Sequence, residues 1–256
     1  MGKISTISVV IPILNEEKNL DRCLGSVVWA DEILVVDMGS TDKSIELCKK
    51  YRAKIIKRVP KNGNFDDNRL FGMQNATGDW ILKLDADEEL APELQEEIKN
   101  LLAYDPDPEI NGYFLYNKIF MFGREVKHGF VKPGSNEFRL FRKGKWEYNP
   151  IRFHQQITVT GKTGFLKNHY NHYNNKSISH FISKTNRYTD LDSRYFFDHH
   201  TRFSLFEVYL SFFKIFFKLF FIQKGFLDGS FGLVTCSLYS FYYWLEKLKV
   251  YELEHF

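Results

Sequence analysis

The sequence predicts an α/β fold in which a mostly parallel sheet is flanked by helices and followed by an apolar helical appendage. Three observations carry this. From Ile7 to Leu102 short apolar runs alternate with helix-length segments, the pattern of βαβ units and a parallel sheet. Two of those runs end in carboxylates, Asp37 and Asp85, and an open α/β sheet binds its ligands at the carboxyl ends of its strands. Many of the 25 Phe and 14 Tyr fall after residue 195, so the C-terminal part meets a different environment.

Each element has its own signal. Ile7 to Ile11 reads as a buried strand ended by Pro12. Asn15-Glu16-Glu17 opens a helix that runs to about Trp29, with acids in the first turn where the helix dipole favours them. Glu32 to Val36 is a second strand, closed by Asp37. Gly39-Ser40-Thr41-Asp42 is a turn and cap before a helix over Ser44 to Tyr51. Lys54 to Val59 is a strand, Phe65 to Asn75 a helix stopped by the Gly78 turn, and Trp80 to Leu84 the fourth strand. A helix over Pro92 to Leu102 and strands over Tyr113 to Phe122 and Phe138 to Phe141 make the next stretch a mixed α+β region.

Several classes drop out. A net charge of +3 is too small for a dedicated nucleic-acid binder. Cys23, Cys48 and Cys236 are far apart and odd in number, which fits neither a metal knuckle nor a disulfide framework; they read as reduced thiols of a cytoplasmic protein. Lys3 followed by alternating Ile4-Ser5-Thr6-Ile7 reads as a strand entry and not as a signal peptide.

The richest segment is Ile81 to Glu89, an apolar run ending in Asp85-Ala86-Asp87. If the extended conformation continues, both carboxylates share a face. Two like charges at that distance call for a positive partner, and a divalent cation carrying a phosphate is the usual one. The plain alternative is a solvated acidic turn before a capped helix. For Asp37 the alternative is a turn residue capping the Thr41 helix, and an independent carboxylate at the same edge favours ligand contact.

Taken in order, Ser8-Val9-Val10-Ile11-Pro12 with Asn15-Glu16, Val35-Val36-Asp37 with Gly39-Ser40-Thr41-Asp42, and Gly78-Asp79-Trp80 leading to Asp85-Ala86-Asp87-Glu88 resemble family 2 glycosyltransferases of the GT-A fold. Arg139-Leu140-Phe141-Arg142, the His154 segment, His172-Tyr173, Lys184 with Asn186-Arg187-Tyr188, and Lys224-Gly225-Phe226-Leu227-Asp228-Gly229 are similar to the branch that adds glucose to the lipopolysaccharide inner core. The resemblance spans nearly the whole chain. It implies a Rossmann-like GT-A catalytic domain, and the compositional shift near Arg202 sets that domain at residues 1–201 and a helical extension at 202–256. It implies an inverting transferase that takes a hexose from a nucleotide-sugar, a UDP-sugar by preference, with Mg²⁺ or Mn²⁺. Pro12 and Glu16 would line the nucleotide pocket, Asp37 would contact base or ribose, and Asp85 the ribose or a metal-bound water. Asp87 would bind the metal, with His172 completing its site. Arg69 and one of Arg139 and Arg142 would meet the phosphates, because strand alternation sends those last two to opposite faces.

Inverting transfer needs a base for the acceptor hydroxyl proton, and here the chain departs from the pattern. Where the similar branch carries Glu after His, His154 is followed by Gln155, and Gly134 stands where another acid is common. A carboxamide cannot take that proton. Glu137 is the nearest remaining carboxylate, with Glu147 and Asp198 behind it, and His154 could itself serve.

From Phe203 to Ile222 the polar residues Ser204, Glu207, Ser211, Lys214 and Lys218 recur every three or four positions, one narrow stripe on an otherwise apolar helix. Three charges argue against a span and for a helix in the membrane interface; the alternative is a helical pair packed on protein. Residues 229–245 are uncharged but short for a span. The expected protein is therefore a cytoplasmic transferase, peripheral on the inner face of the cell membrane. Its acceptor would be a saccharide or lipid-linked molecule in surface polysaccharide or lipopolysaccharide core synthesis, with no nucleic-acid partner. Two rivals stand beside it. A nucleotidyltransferase would show a Gly-rich basic loop where Ile13-Leu14-Asn15-Glu16-Glu17 is acidic. A catalytically impaired sugar-nucleotide-binding or scaffolding protein of the same fold draws support from Gln155.

Overall fold

The computed structural model describes residues 5–59, 65–104, 107–130, 136–149 and 156–256. The chain forms two compact units, Met1–Asn117 with Asn136–His172, and Lys118–Ser135 with Tyr173–Phe256.

In the first unit β1 (Ile7–Ile13), α1 (Glu17–Gly25), β2 (Glu32–Asp37), α2 (Ser44–Lys50), β3 (Lys54–Lys57), α3 (Phe65–Asn75) and β4 (Trp80–Lys83) alternate as the sequence predicts. Then come β5 (Glu88–Leu90), α4 (Pro92–Tyr104), β6 (Ile110–Met121), β7 (Arg124–Val126), β8 (Asn136–Arg142), β9 (Trp146–Asn149), β10 (Gln156–Val159) and β11 (Lys162–Asn175), of which β7 and the last residues of β6 and β11 belong to the second unit. The main sheet has the order β3-β2-β1-β4-β8-β6-β11-β5, with β7 on β6; β9 and β10 form a separate pair. β1 pairs in parallel with β2 and β4, and β2 with β3. From β4 onward the pairing turns antiparallel, β4 with β8, β8 with β6 and β5 with β11. The parallel half carries the expected βαβ units, and the antiparallel half is the expected mixed region.

β1 is buried along its whole length, as a strand covered on both faces must be, and so apart from Ser8 it reads as an apolar run. Val9, Ile11 and Ile13 meet Leu20 and Leu24 of α1 and Leu94 and Ile98 of α4 in one core. Val10 faces the other way, with Leu34, Met73, Ile81 and Phe141. α3 lies so close to this face that a Cβ on Gly72 would stand 2.4 Å from Val10 Cγ1.

Two boundaries differ from expectation. β1 runs through Pro12 because its pairing with β4 ends at Val10, so the missing N–H falls where no neighbour needs it. α1 is shorter at both ends. Asn15 takes a positive φ of 56°, and Ser26 Oγ donates to Cys23 O at 2.7 Å, a local bond that competes with continuing the helix.

The second unit is built on α5 (Ile178–Asp198), α6 (Leu205–Phe217), a π-helical turn (Lys218–Ile222), a 3₁₀ turn (Gly225–Asp228) and α7 (Gly229–His255). Its core joins Met121, Val126 and Phe181 to Phe130, Phe231, Leu238, Tyr239 and Tyr242. α5 was invisible in the sequence because Thr185, Thr189 and Ser193 share its buried stripe with Phe181, and those residues leave no apolar period. Asp228 ties the 3₁₀ turn to the β7 hairpin: Oδ2 accepts from Lys127 N and His128 N, and Oδ1 pairs with His128 Nδ1 at 2.8 Å. Among the described residues no helix is long and apolar enough to cross a membrane. The three cysteines are free and buried.

Candidate active site

The site lies in the first unit, at the carboxyl ends of β1, β2 and β4. The loops after β1 and β2 are stitched together. Asn15 N donates to Ser40 Oγ at 3.0 Å, Thr41 N to Asn15 Oδ1 at 2.8 Å, Glu16 N to Ser44 Oγ at 2.8 Å and Glu17 N to Asp42 Oδ2 at 3.0 Å. Pro12 and Asp37 are buried at this edge, Pro12 in register with Val36 and Ile13 with Asp37. Asp37 Oδ1 accepts from Ser40 N at 2.9 Å, so one oxygen does hold the turn. Glu16 precedes α1 and accepts from Asn19 Nδ2 at 2.6 Å. Asp42 is the helix-start acid, accepting from Ser44 N at 2.9 Å.

The extended stretch stops at Lys83, so Asp85 and Asp87 do not share a strand face. They sit on a turn, closed by Glu88 N donating to Asp85 O at 3.0 Å and by Asp85 N donating to Glu88 Oε2 at 2.8 Å. The turn separates the two carboxylates. Asp85 Oδ1 accepts from Arg69 Nη2 at 2.6 Å, and its Oδ2 lies 3.6 Å from Arg139 Nη1. Asp87 Oδ2 lies 3.5 Å from His172 Nε2. That second pairing follows from register, since β11 runs antiparallel to β5 with His172 opposite Glu88.

Asp85 belongs to a network of buried charge. Arg139, in the middle of β8, grips Glu88 with two bonds, Nη1 to Oε2 at 3.0 Å and Nη2 to Oε1 at 2.9 Å. It also reaches Glu137 Oε2 at 3.0 Å and lies 5.0 Å from the centre of the Tyr170 ring. Arg69 pairs with Asp66 as well as Asp85. Lys83 Nζ is 3.5 Å from Glu137 Oε2. Burial favours neutral Asp85, yet Arg69, Arg139 and Lys83 outweigh it and hold the carboxyl far below its ordinary range. Glu88, with no exposed surface, is pushed up by burial to about 7 against the pull of Arg139. Lys83 is pushed down to about 8 by burial and by the two arginines. Arg139 first, then Lys83, draw Glu137 down to about 2.

Arg139 is therefore an interior residue whose two terminal nitrogens are taken up by this chain's own carboxylates, while its buried Nε has no partner among the described residues. Arg142 goes the other way, donating from Nε to Ile110 O at 3.0 Å with its guanidinium 4.5 Å from the Trp80 ring centre. Replacing Arg139 by Met leaves Glu88 buried without its partner, a change that costs about 3 kcal/mol or more. The loss should be larger at pH 8 than at pH 6. An acid whose folded-state pKa is raised takes up a proton on folding, so stability falls as pH rises from its unfolded value toward its folded one, and losing Arg139 raises the folded value further. Urea melts of wild type and Arg139→Met at the two pH values check this, and equal losses would contradict it.

Among the described residues no three His, Cys, Asp or Glu side chains converge as a metal-ligand set. Asp87 and His172 supply one carboxylate and one imidazole, with side chains 20% and 22% exposed. That donor pair suits a Mg²⁺ or Mn²⁺ ion that takes its other ligands from water and substrate phosphates. Pro12, Asp37, Asp85, Asp87, Arg69, Arg139, Glu137 and His172 thus all fall at one edge of the first unit, with Glu16 in the stitched loops. His154 lies outside the described residues. Lys83, Glu88 and Asp66 escaped the sequence reading; a lysine inside an otherwise apolar strand was the available signal for the first.

Comparison with known proteins agrees with this geometry. Residues 8–181 match the family model described as Glycosyl transferase family 2. The chain belongs to that family. An uncharacterized glycosyltransferase of Rickettsia typhi is 29% identical to this family 2 glycosyltransferase, covering 99% of this chain and 88% of the relative. The lipopolysaccharide core biosynthesis glycosyltransferase LpsC of Rhizobium meliloti is 29% identical over 72% of this chain and 69% of its own. The crystal structure of S. aureus TarS 1–349 in complex with UDP superposes with a TM-score of 0.50 at 17% identity, covering 86% of this chain and 74% of that one. The likeness is one of fold, and the family 2 glycosyltransferase described here has the GT-A architecture.

Proposed function

We propose that this family 2 glycosyltransferase moves a hexose from a UDP-sugar to a saccharide or lipid-linked acceptor, with inversion, in surface polysaccharide or lipopolysaccharide core synthesis. The observation that carries the reading is the turn at the end of β4, which sends Asp85 to two arginines and Asp87 to His172 beside the Asp37 edge. The likeness to LpsC supports the lipopolysaccharide setting. The catalytic domain over residues 1–201 and the extension over 202–256 are part of the same proposal, with the protein peripheral on the inner face of the cell membrane.

In this mechanism Pro12, Glu16 and Asp37 bound the nucleoside pocket. Asp85, fixed by Arg69, meets the ribose side of the donor. Asp87 and His172 would hold Mg²⁺ or Mn²⁺, which would supply charge neutralisation for the departing diphosphate. Arg69 adds fixed positive charge, and Arg139 keeps the turn in place. Glu137, at 55% the most exposed carboxylate of the cluster, accepts the proton as the acceptor oxygen attacks the anomeric carbon, a weak base for as long as Arg139 and Lys83 hold it at about 2. His154 is the second candidate for that proton.

Thermal shift against a panel of UDP-sugars with Mn²⁺, paired with a free-sugar release assay, tests the reading. A ligand at a hundred times its Kd adds about 2.7 kcal/mol to stability, so a clear rise in melting temperature is expected with one donor, together with metal-dependent hydrolysis. Glu137→Gln should keep the shift and lose turnover. Neither shift nor hydrolysis with any donor would defeat the proposal.

A further inference from the structure

The structure assigns a membrane-docking face to the second unit: the outer side of α6, continued through the π-helical and 3₁₀ turns, fits one leaflet of an anionic bilayer. This deepens the peripheral-membrane part of the proposal above and rests on it.

Tyr209, Phe213, Phe217 and Phe221 follow one another every four residues, 68%, 58%, 56% and 50% exposed. Residues at that spacing form one row along a helix. Ring contacts make the surface continuous: Tyr209 with Phe213, Phe217 with Phe221, and Phe220 with both Phe221 and Phe226. Phe206, Ile222 and Leu227 extend it. The opposite side of α6 is the packed one, with Val208 and Ser211 buried, followed by Leu219 in the π-helical turn. The exposed row is therefore a second apolar face, not a core face seen from its edge. A soluble monomer rarely leaves such a contiguous patch uncovered.

Charge selects the occupant. From Val208 to Leu227 the charged residues are Lys214, Lys218 and Lys224, with no acid among them. Lys214 and Lys218 are exposed and, at 100° per residue, lie along one edge of the aromatic row. Lysines so placed reach headgroups while the rings enter the acyl boundary. A second copy of this chain docked on the same face would set like lysines against like. Anionic headgroups neutralise them and add about 1 kcal/mol for each cation near the surface.

Co-sedimentation with phosphatidylglycerol/phosphatidylcholine vesicles, set against pure phosphatidylcholine, tests the full-length protein. Wild type should bind the anionic vesicles, and binding should weaken as salt rises. The double variant Lys214→Glu/Lys218→Glu should lose at least about thirtyfold in affinity, the value for removing two cations before the added repulsion of two acids. Phe213→Gln/Phe217→Gln should lose binding even at low salt. Both double variants should keep the wild-type circular dichroism and the wild-type release of sugar from a soluble donor, which separates this inference from the transferase reading. Equal binding to both vesicle types, or indifference to the lysine reversals, would overturn it. So would a dimer in size-exclusion chromatography that the phenylalanine variants dissolve, since a protein partner would then own the face.

Discussion

Asp87→Ala is expected to lower glycosyl transfer about a thousandfold while leaving the melting temperature close to wild type. The reasoning starts from partners. Asp85 sits between Arg69 and Arg139, so its removal would leave two buried guanidiniums facing each other and disturb the fold. Asp87 faces His172 at the rim, and its charge pushes buried Glu88 further up, so losing it relieves that group. Its role in the proposal is to help hold the cation that offsets charge on the leaving diphosphate. Losing one preorganised contact to developing charge typically costs a hundredfold to a thousandfold in rate. Initial rates across a Mn²⁺ titration decide the matter. Full activity of the variant at saturating Mn²⁺ would remove Asp87 from the metal site.

Gly232→Ala is expected to destabilise the second unit by about 4 kcal/mol or more. A Cβ there would stand 1.9 Å from Gly225 O and 3.0 Å from Asp228 Cβ. The first obstacle is backbone, which no rotamer change relieves, so α7 must move off the 3₁₀ turn. That turn presents Asp228 to the amides of Lys127 and His128, and overpacking combined with broken buried bonds falls in the severe class of substitutions. Gly123→Ala is the comparator. Gly123 has φ +78° but nothing within 4 Å of the added carbon, so only the left-handed backbone is strained, at about 1–2 kcal/mol. Chemical denaturation followed by circular dichroism ranks the two, and equal losses would show that the close approach at Gly232 is tolerated.

The parallel half of the sheet was legible because β1, β2 and β4 are buried on both faces and its helices are short and separated by turns. Asp37 and Asp85 at strand ends were legible for the same reason. The antiparallel half hid its contribution in pairing. β8 runs against β4, with Leu82 opposite Leu140, so the start of one strand arrives beside the end of the other. Arg139 and Glu137 reach Asp85 by that reversal, which no local pattern announces. His172 depends on the β5–β11 register, and β5 is only three residues long. The acidic stretch takes the turn that the sequence offered as the alternative, not the continued strand that a shared face would need. Its geometry is fixed by Glu88, whose carboxylate function becomes visible only when Arg139 is in place.

Glu88 has one further implication. Its carboxylate binds the main chain of Asp85 and, at the same time, the side chain of Arg139 on another strand. The acidic turn is consequently no interchangeable module. Grafting Leu84–Leu90 from a cousin with different donor preference would import a new loop onto an old anchor, and chimeras should succeed only when β8 travels with it.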